Sequence, residues 1–139
     1  MSRIVAIDYG LKRCGIAMTD PLRIIAQGVT TVKASELMDY LDNFLNKESF
    51  EILVVGLPKQ MDNTPSEIEP HIAGFTKRFK TKHPQIEIVR VDERFTSILS
   101  HQALIMGGAT KKQRSNKELV DTISATIILQ TYLERKQIL

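Results

Sequence analysis

The spacing of apolar residues changes several times along the chain, and each change marks a new element. Residues 3 to 9 and 14 to 19 are apolar, partly β-branched runs, and the link Gly10-Leu-Lys-Arg-Cys between them is rich in turn chemistry. That pattern predicts an antiparallel hairpin. A third strand over roughly residues 24 to 32, with Ile24, Ile25, Val29 and Val32 set among Gln and Thr, extends it into a meander. The period then lengthens. Leu37, Leu41, Phe44 and Leu45 form one helical stripe, with Ser35 as candidate N-cap.

Glu51-Ile-Leu-Val-Val-Gly56 is a continuous apolar run ending in glycine, the pattern of a central strand covered on both faces. An irregular loop with two prolines follows. Thr64-Pro-Ser-Glu67 fits a capping box, but Pro70 would then fall early inside the helix, so a start a few residues later is expected. Ile72, Phe75, Thr76 and Phe79 mark the buried stripe of this second helix, and Lys77, Arg78, Lys80 and Lys82 crowd its last turns, where cations suit the helix dipole. Residues 85 to 91 alternate as a strand and run into Asp92-Glu-Arg-Phe-Thr-Ser97. A short helix over residues 96 to 106, a basic loop over 109 to 117 and an apolar helix from Glu118 complete the chain.

This order predicts an α/β fold with a mixed five-stranded sheet. The first three strands are antiparallel, and the first, fourth and fifth are parallel. Helices flank the sheet. Right-handed crossovers place the fourth and fifth strands beside the first, so the carboxyl ends of these three strands open on one edge, where ligands of such sheets bind.

Composition narrows the setting. The 139 residues, 42% of them hydrophobic, suit one domain over residues 1–139. A formal charge of +3 and a pI of about 9.1 permit a polyanionic partner. One cysteine, Cys14, allows no internal disulfide, and with three scattered histidines it makes no zinc site. No leader pattern precedes the first strand and no apolar run reaches membrane-spanning length. A cytoplasmic protein with no membrane contact is expected.

Three acids fall at the predicted edge: Asp8 ends the first strand, Glu93 follows the fifth, and Asp121 lies early in the last helix. Each has an ordinary structural use as well. Asp8 can form a turn, Asp121 can complement a helix dipole, and Glu93 can pair with Arg94 or Lys12. Taken together they point to chemistry, because converging carboxylates repel unless a cation joins them. Mg²⁺ or Mn²⁺ is the natural ion for an all-oxygen site, and the matching reaction is hydrolysis of a phosphodiester.

The blocks that carry these acids are Asp8-Tyr-Gly-Leu-Lys-Arg-Cys-Gly15 with Asp20, Gly56-Leu-Pro with Met61-Asp-Asn-Thr64, Asp92-Glu-Arg-Phe-Thr-Ser97, and Lys117 leading to Asp121 with Ser124-Ala125 and Ile128-Leu129. Over nearly the whole chain they resemble the YqgF (RuvX-type) family of pre-16S ribosomal RNA nucleases, relatives of Holliday junction resolvases. Asn63 and Ser124 depart from the family pattern, where glycine and alanine are common. The resemblance implies a ribonuclease H-like fold and an acidic triad of Asp8, Glu93 and Asp121, catalytic and metal-binding. It also implies phosphate contacts by Lys12, Arg13, Lys59 and Arg94, and by a basic loop carrying Lys111, Lys112 and Arg114.

The expected function is a divalent-metal-dependent nuclease acting on structured RNA in ribosome biogenesis, at the 5′ end of pre-16S rRNA. A pre-ribosomal particle is the expected partner, and the protein itself is a monomer or weak homodimer. Two alternatives stay open: a resolvase of DNA junctions, and a noncatalytic RNA-binding or transcription-associated factor. An actin-like nucleotide-binding protein would need a second domain and a second phosphate loop.

Overall fold

The computed structural model describes residues 2–58, 66–92 and 116–138, with side chains as far as residue 135 in the last segment. The amino-terminal hairpin pairs β1 (Arg3–Tyr9) with β2 (Arg13–Thr19), and β3 (Ala26–Lys33) completes the meander. A 3-10 turn at Ala34–Glu36 leads into α1 (Leu37–Leu45). Then come β4 (Phe50–Leu57), α2 (Glu69–Lys82), β5 (Glu87–Asp92) and a long final helix, α3 (Lys117–Ile138). The strands form one sheet in the order β3-β2-β1-β4-β5, antiparallel across β1, β2 and β3 and parallel across β1, β4 and β5, as the hydropathy pattern predicts.

Strand alternation divides the core in two. Val5, Ile7, Ile16 and Leu53 pack under α1 and α2, against Leu37, Leu41, Phe75 and Phe79. Ile4, Ala6, Ala17 and Val54 pack under α3, against Ala125, Ile128, Leu129 and Tyr132. The second face is built with smaller side chains, and α3 lies correspondingly close to the sheet.

Local details depart from expectation at three element starts. Ile24 and Ile25 are not in β3, because their amides bond to the Asp20 carboxylate at 2.8 Å and are withdrawn from the strand ladder. Ser35 does not cap α1; it sits inside the 3-10 turn, and no side chain caps either segment. Lys117 belongs to α3 rather than to the preceding loop, since the Asn116 carboxamide accepts hydrogen bonds from the amides of Glu118 and Leu119 and acts as the N-cap.

α2 does begin after the capping-box sequence. Its first residue is Glu69, so Pro70 falls in the first turn, where its missing N–H is no loss. The Glu69 carboxylate takes a two-pronged ion pair from Arg90 of β5, at 2.8 and 2.9 Å, and Arg90 also donates to the carbonyls of Val55 and Gly56. One guanidinium thus joins α2, β4 and β5 at the carboxyl edge. The helix expected over residues 96 to 106 lies outside the described residues. Among those described, no helix is long and apolar enough to cross a membrane.

Candidate active site

Asp8 is the last residue but one of β1, and its register partner on β2 is Gly15. Gly15 in turn pairs with Thr31 on β3. Thr31, Gly15 and Asp8 therefore form a row across the sheet, and Asp8 shares the α3 face with Ile4 and Ala6 by alternation. The second turn of α3 crosses this row. Thr31 Oγ1 donates to the Glu118 carbonyl at 2.8 Å and lies 2.8 Å from Thr122 Oγ1. Between those two residues, the backbone of Asp121 occupies the space above Gly15.

Any side chain at position 15 would prevent this contact. A Cβ there would lie 2.0 Å from the Asp121 carbonyl oxygen and 2.4 Å from its carbon. Gly28, on β3, repeats the device one turn along: a Cβ there would meet Thr122 Cγ2 at 2.6 Å and Thr126 Oγ1 at 3.0 Å. Two missing side chains let α3 settle on the sheet, and they bring Asp121 to the strand position that faces Asp8. The hydropathy pattern does not reveal this role for Gly15 and Gly28. Glycines inside strand patterns are its only signal, since they mark close backbone approach.

Asp121 is half-buried and holds an ion pair with Arg13, whose Nε donates to Oδ2 at 3.1 Å. Arg13, expected to contact phosphate, thus also orients a carboxylate. Lys12 is exposed on the hairpin link, with its carbonyl bonded to the amide of Ala34. On the opposite face, the buried Cys14 thiol is pushed up to about 11, first by burial and then by the negative charge of Asp8 and Asp121. Both carboxylates thus act electrostatically on this one sulfur.

The carboxyl ends of β1, β4 and β5 open on the same edge, with Leu57 in register with Asp92. Glu93 is the next residue after β5 and lies outside the described residues, as do Lys59, Arg94, Lys111, Lys112 and Arg114. The structure brings Arg13 to Asp121 and seats Asp121 above the register partner of Asp8, while Lys12 is exposed on the adjoining hairpin link. Among the described residues no group of three His, Cys, Asp or Glu side chains makes a metal site. The donor chemistry present still suits a hard divalent cation: two carboxylates on one face, with no sulfur or imidazole of the described residues directed there.

A mixed sheet in this strand order, with helices packed on both faces, is the α/β arrangement expected of a ribonuclease H-like fold. A family model described as "RuvX: Holliday junction resolvase" matches residues 2–135, and the chain belongs to that family. Among curated relatives, the "Putative pre-16S rRNA nuclease" of Bacteroides fragilis is 53% identical over 138 residues, covering 99% of this chain and 100% of its own. The protein of the same name from Phocaeicola vulgatus is 55% identical over 137 residues, covering 99% of each chain. Among solved structures, YeaZ from Pseudomonas aeruginosa has a TM-score of 0.48 at 18% identity, over 78% of this chain and 50% of that one.

Proposed function

We propose that this chain is a nuclease of ribosomal RNA processing, hydrolysing phosphodiester bonds of pre-16S rRNA with Asp8, Glu93 and Asp121 grouped around Mg²⁺ or Mn²⁺. The observation that carries the reading is the seating of Asp121 on Gly15, the register partner of Asp8. A purely structural helix would not need its acid-bearing turn to contact the sheet at that row. The full-length relatives named pre-16S rRNA nucleases support the substrate. Glu93 is included because Val89 and Val91 belong to the α3 face, and it is the next residue in that alternating series.

Each residue has a distinct task. Asp8 is held by the rigid central strand and Asp121 by the glycine seat, so neither carboxylate must be ordered when substrate arrives. When bound, the divalent ion supplies the positive charge that offsets the charge developing on the phosphodiester. Arg13 keeps one oxygen of Asp121 engaged and fixes the direction of the other. Lys12, exposed at the hairpin link, attracts the RNA backbone to the same edge.

Asp8→Asn, Glu93→Gln and Asp121→Asn should each abolish Mg²⁺- or Mn²⁺-dependent cleavage of a pre-16S transcript while leaving the circular dichroism spectrum and melting temperature in place. Undiminished cleavage in all three purified variants would sink the proposal. The description of the matching family favours a second substrate, a four-way DNA junction. Cutting of the junction faster than of the transcript under the same conditions would transfer the reading to DNA.

A further inference from the structure

Asp8 and Tyr9 are consecutive on β1, so their side chains leave opposite faces of the sheet. Asp8 faces α3. Tyr9 packs against the α1 and α2 side, where its ring centroid lies 5.5 Å from that of Phe75 at an interplanar angle of 37°. There it forms part of the floor of a groove of about 630 Å³, within the range of small-molecule sites. Met38 and Ala34 extend the apolar floor, and Lys77, Arg78 and Lys82 line the wall. No acid lines it.

The three cations are not equivalent. Lys82 is held by Asp42, at 2.5 Å, and Asp42 also bonds His83 at 2.7 Å. Among the described residues Lys77 and Arg78 have no carboxylate partner. They lie a turn before the end of α2, where Lys80 and Lys82 already complement the helix dipole. Arg78 is near enough to Tyr9 to oppose the rise that burial, first, and Cys14 impose on the phenol. An aromatic floor with unpaired cations beside it suits a ring that carries a phosphate. The groove also meets the proposed active-site edge: Ala34, in its floor, donates its amide to the carbonyl of Lys12 at 2.9 Å.

We infer that the groove between α1 and α2 is a second nucleic-acid contact, taking one unpaired nucleotide of the RNA chain with its base on Tyr9 and its phosphate on Lys77 and Arg78. The identity of the ligand as RNA rests on the nuclease reading above; the ring-plus-phosphate chemistry does not. An RNA strand crossing the carboxyl edge of β1 passes Asp8 on one face and enters the groove on the other. Such a contact would select substrates with a single-stranded segment beside the cut.

The test is binding without cleavage. Fluorescence anisotropy of the full chain with a short single-stranded RNA, in EDTA, should show about tenfold weaker affinity for Lys77→Ala/Arg78→Ala, with a salt slope shallower by about 1.4. Lys47→Ala/Arg135→Ala, which removes the same charge elsewhere, should leave the affinity within about twofold. Tyr9→Leu should weaken the single strand about tenfold and a fully paired duplex hardly at all, and Tyr9→Phe should restore it. Cross-linking of a 5-bromouridine oligomer to wild-type protein should map to the peptide containing Tyr9.

Equal effects of the two double variants would overturn the inference, as would Tyr9→Leu binding like wild type or no measurable binding of single-stranded RNA. Adenosine monophosphate competing at the oligomer's own affinity would make this a free-nucleotide site and overturn the RNA assignment. Because no cleavage is measured, loss of the nuclease reading through the three acid variants would be seen separately.

Discussion

The carbonyl oxygen of Asp121 stands 2.0 Å from where a Cβ of residue 15 would be, so Gly15 and Asp121 cannot both keep their places if residue 15 is anything but glycine. The obstructing atoms are backbone, which cannot turn aside as a side chain can. Gly15→Ala should therefore lift the first turns of α3, with a destabilisation of about 3 kcal/mol by the usual cost of overpacking. Denaturant unfolding measures this. Cleavage should fall further than stability explains, because Asp121 moves away from Asp8. A variant with wild-type midpoint and activity would show that α3 is not seated on this glycine.

A different prediction concerns Arg13, which under the proposed mechanism would compete with the divalent cation for the Asp121 carboxylate. Arg13→Gln should lower the Mg²⁺ or Mn²⁺ concentration giving half-maximal cleavage, by up to about fivefold, because a partly exposed pair contributes at most about 1 kcal/mol. Maximal rate should fall as Asp121 loses its orientation. A titration of activity against metal separates the two effects. An unchanged half-maximal concentration would mean that the Arg13 pair and the ion do not share Asp121.

Much of this was legible in the residues alone. The alternation of β1 and β2, the continuous apolar run of β4 and the stripe of Ile72, Phe75 and Phe79 are direct images of burial, and strand order followed from crossover handedness. Asp8 stands out because it ends the first strand at the edge where Glu93 and Asp121 also fall. What could not be read was anything set by tertiary approach. Gly15 looked like part of a turn-rich hairpin, and only the descent of α3 shows why it lacks a side chain. Arg13 pairs with a residue far along the chain, which local spacing does not encode. Ile24 and Ile25 carried a strand pattern, but Asp20 took their amides first. Lys77 and Arg78 have the spacing of dipole-compensating cations, and only the packing of α1 beside α2 makes them the wall of a groove.

Cys14 should be almost inert while the protein is folded. Its thiol is fully buried and pushed up to about 11, so near pH 8 only about one molecule in a thousand carries the reactive thiolate. Alkylation by iodoacetamide at pH 8 should be roughly two-hundredfold slower in native buffer than in denaturant, where the ordinary value of about 8.5 returns. Mass spectrometry of the modified chain follows both rates. Comparable rates would show that the hairpin opens readily and that Cys14 is not held as described.

Removing the partner of Arg90 should be costly. Glu69→Ala leaves a guanidinium largely buried among β4 and β5 with only the carbonyls of Val55 and Gly56 to satisfy it, and takes an acid from the first turn of α2. A loss of about 2 kcal/mol is expected from the charged hydrogen bonds alone. Glu69→Gln, which keeps one acceptor, should lose less. Equal midpoints for the wild type and Glu69→Ala would mean that the fork adds nothing to stability.

Asp20 sets the acid response of the β2–β3 connection. Its carboxylate accepts hydrogen bonds from the amides of Ile25, Ile24 and Leu22, and these hold its pKa below the ordinary carboxylate value, the bond from Ile25 contributing most. A depressed folded pKa means that this stabilisation is complete above the unfolded value of about 3.9 and disappears as pH falls through the lower, folded value. The connection also holds Arg23 at a φ of 60°, a strained conformation that its bonds to Ser2 and Glu51 help to maintain. Amide chemical shifts of Ile24 and Ile25 should therefore titrate together, with a midpoint below about 3.9. In Asp20→Ala that titration should vanish, and the same amides should exchange with solvent faster at neutral pH. A midpoint at or above the unfolded value would show that the carboxylate does not anchor the connection.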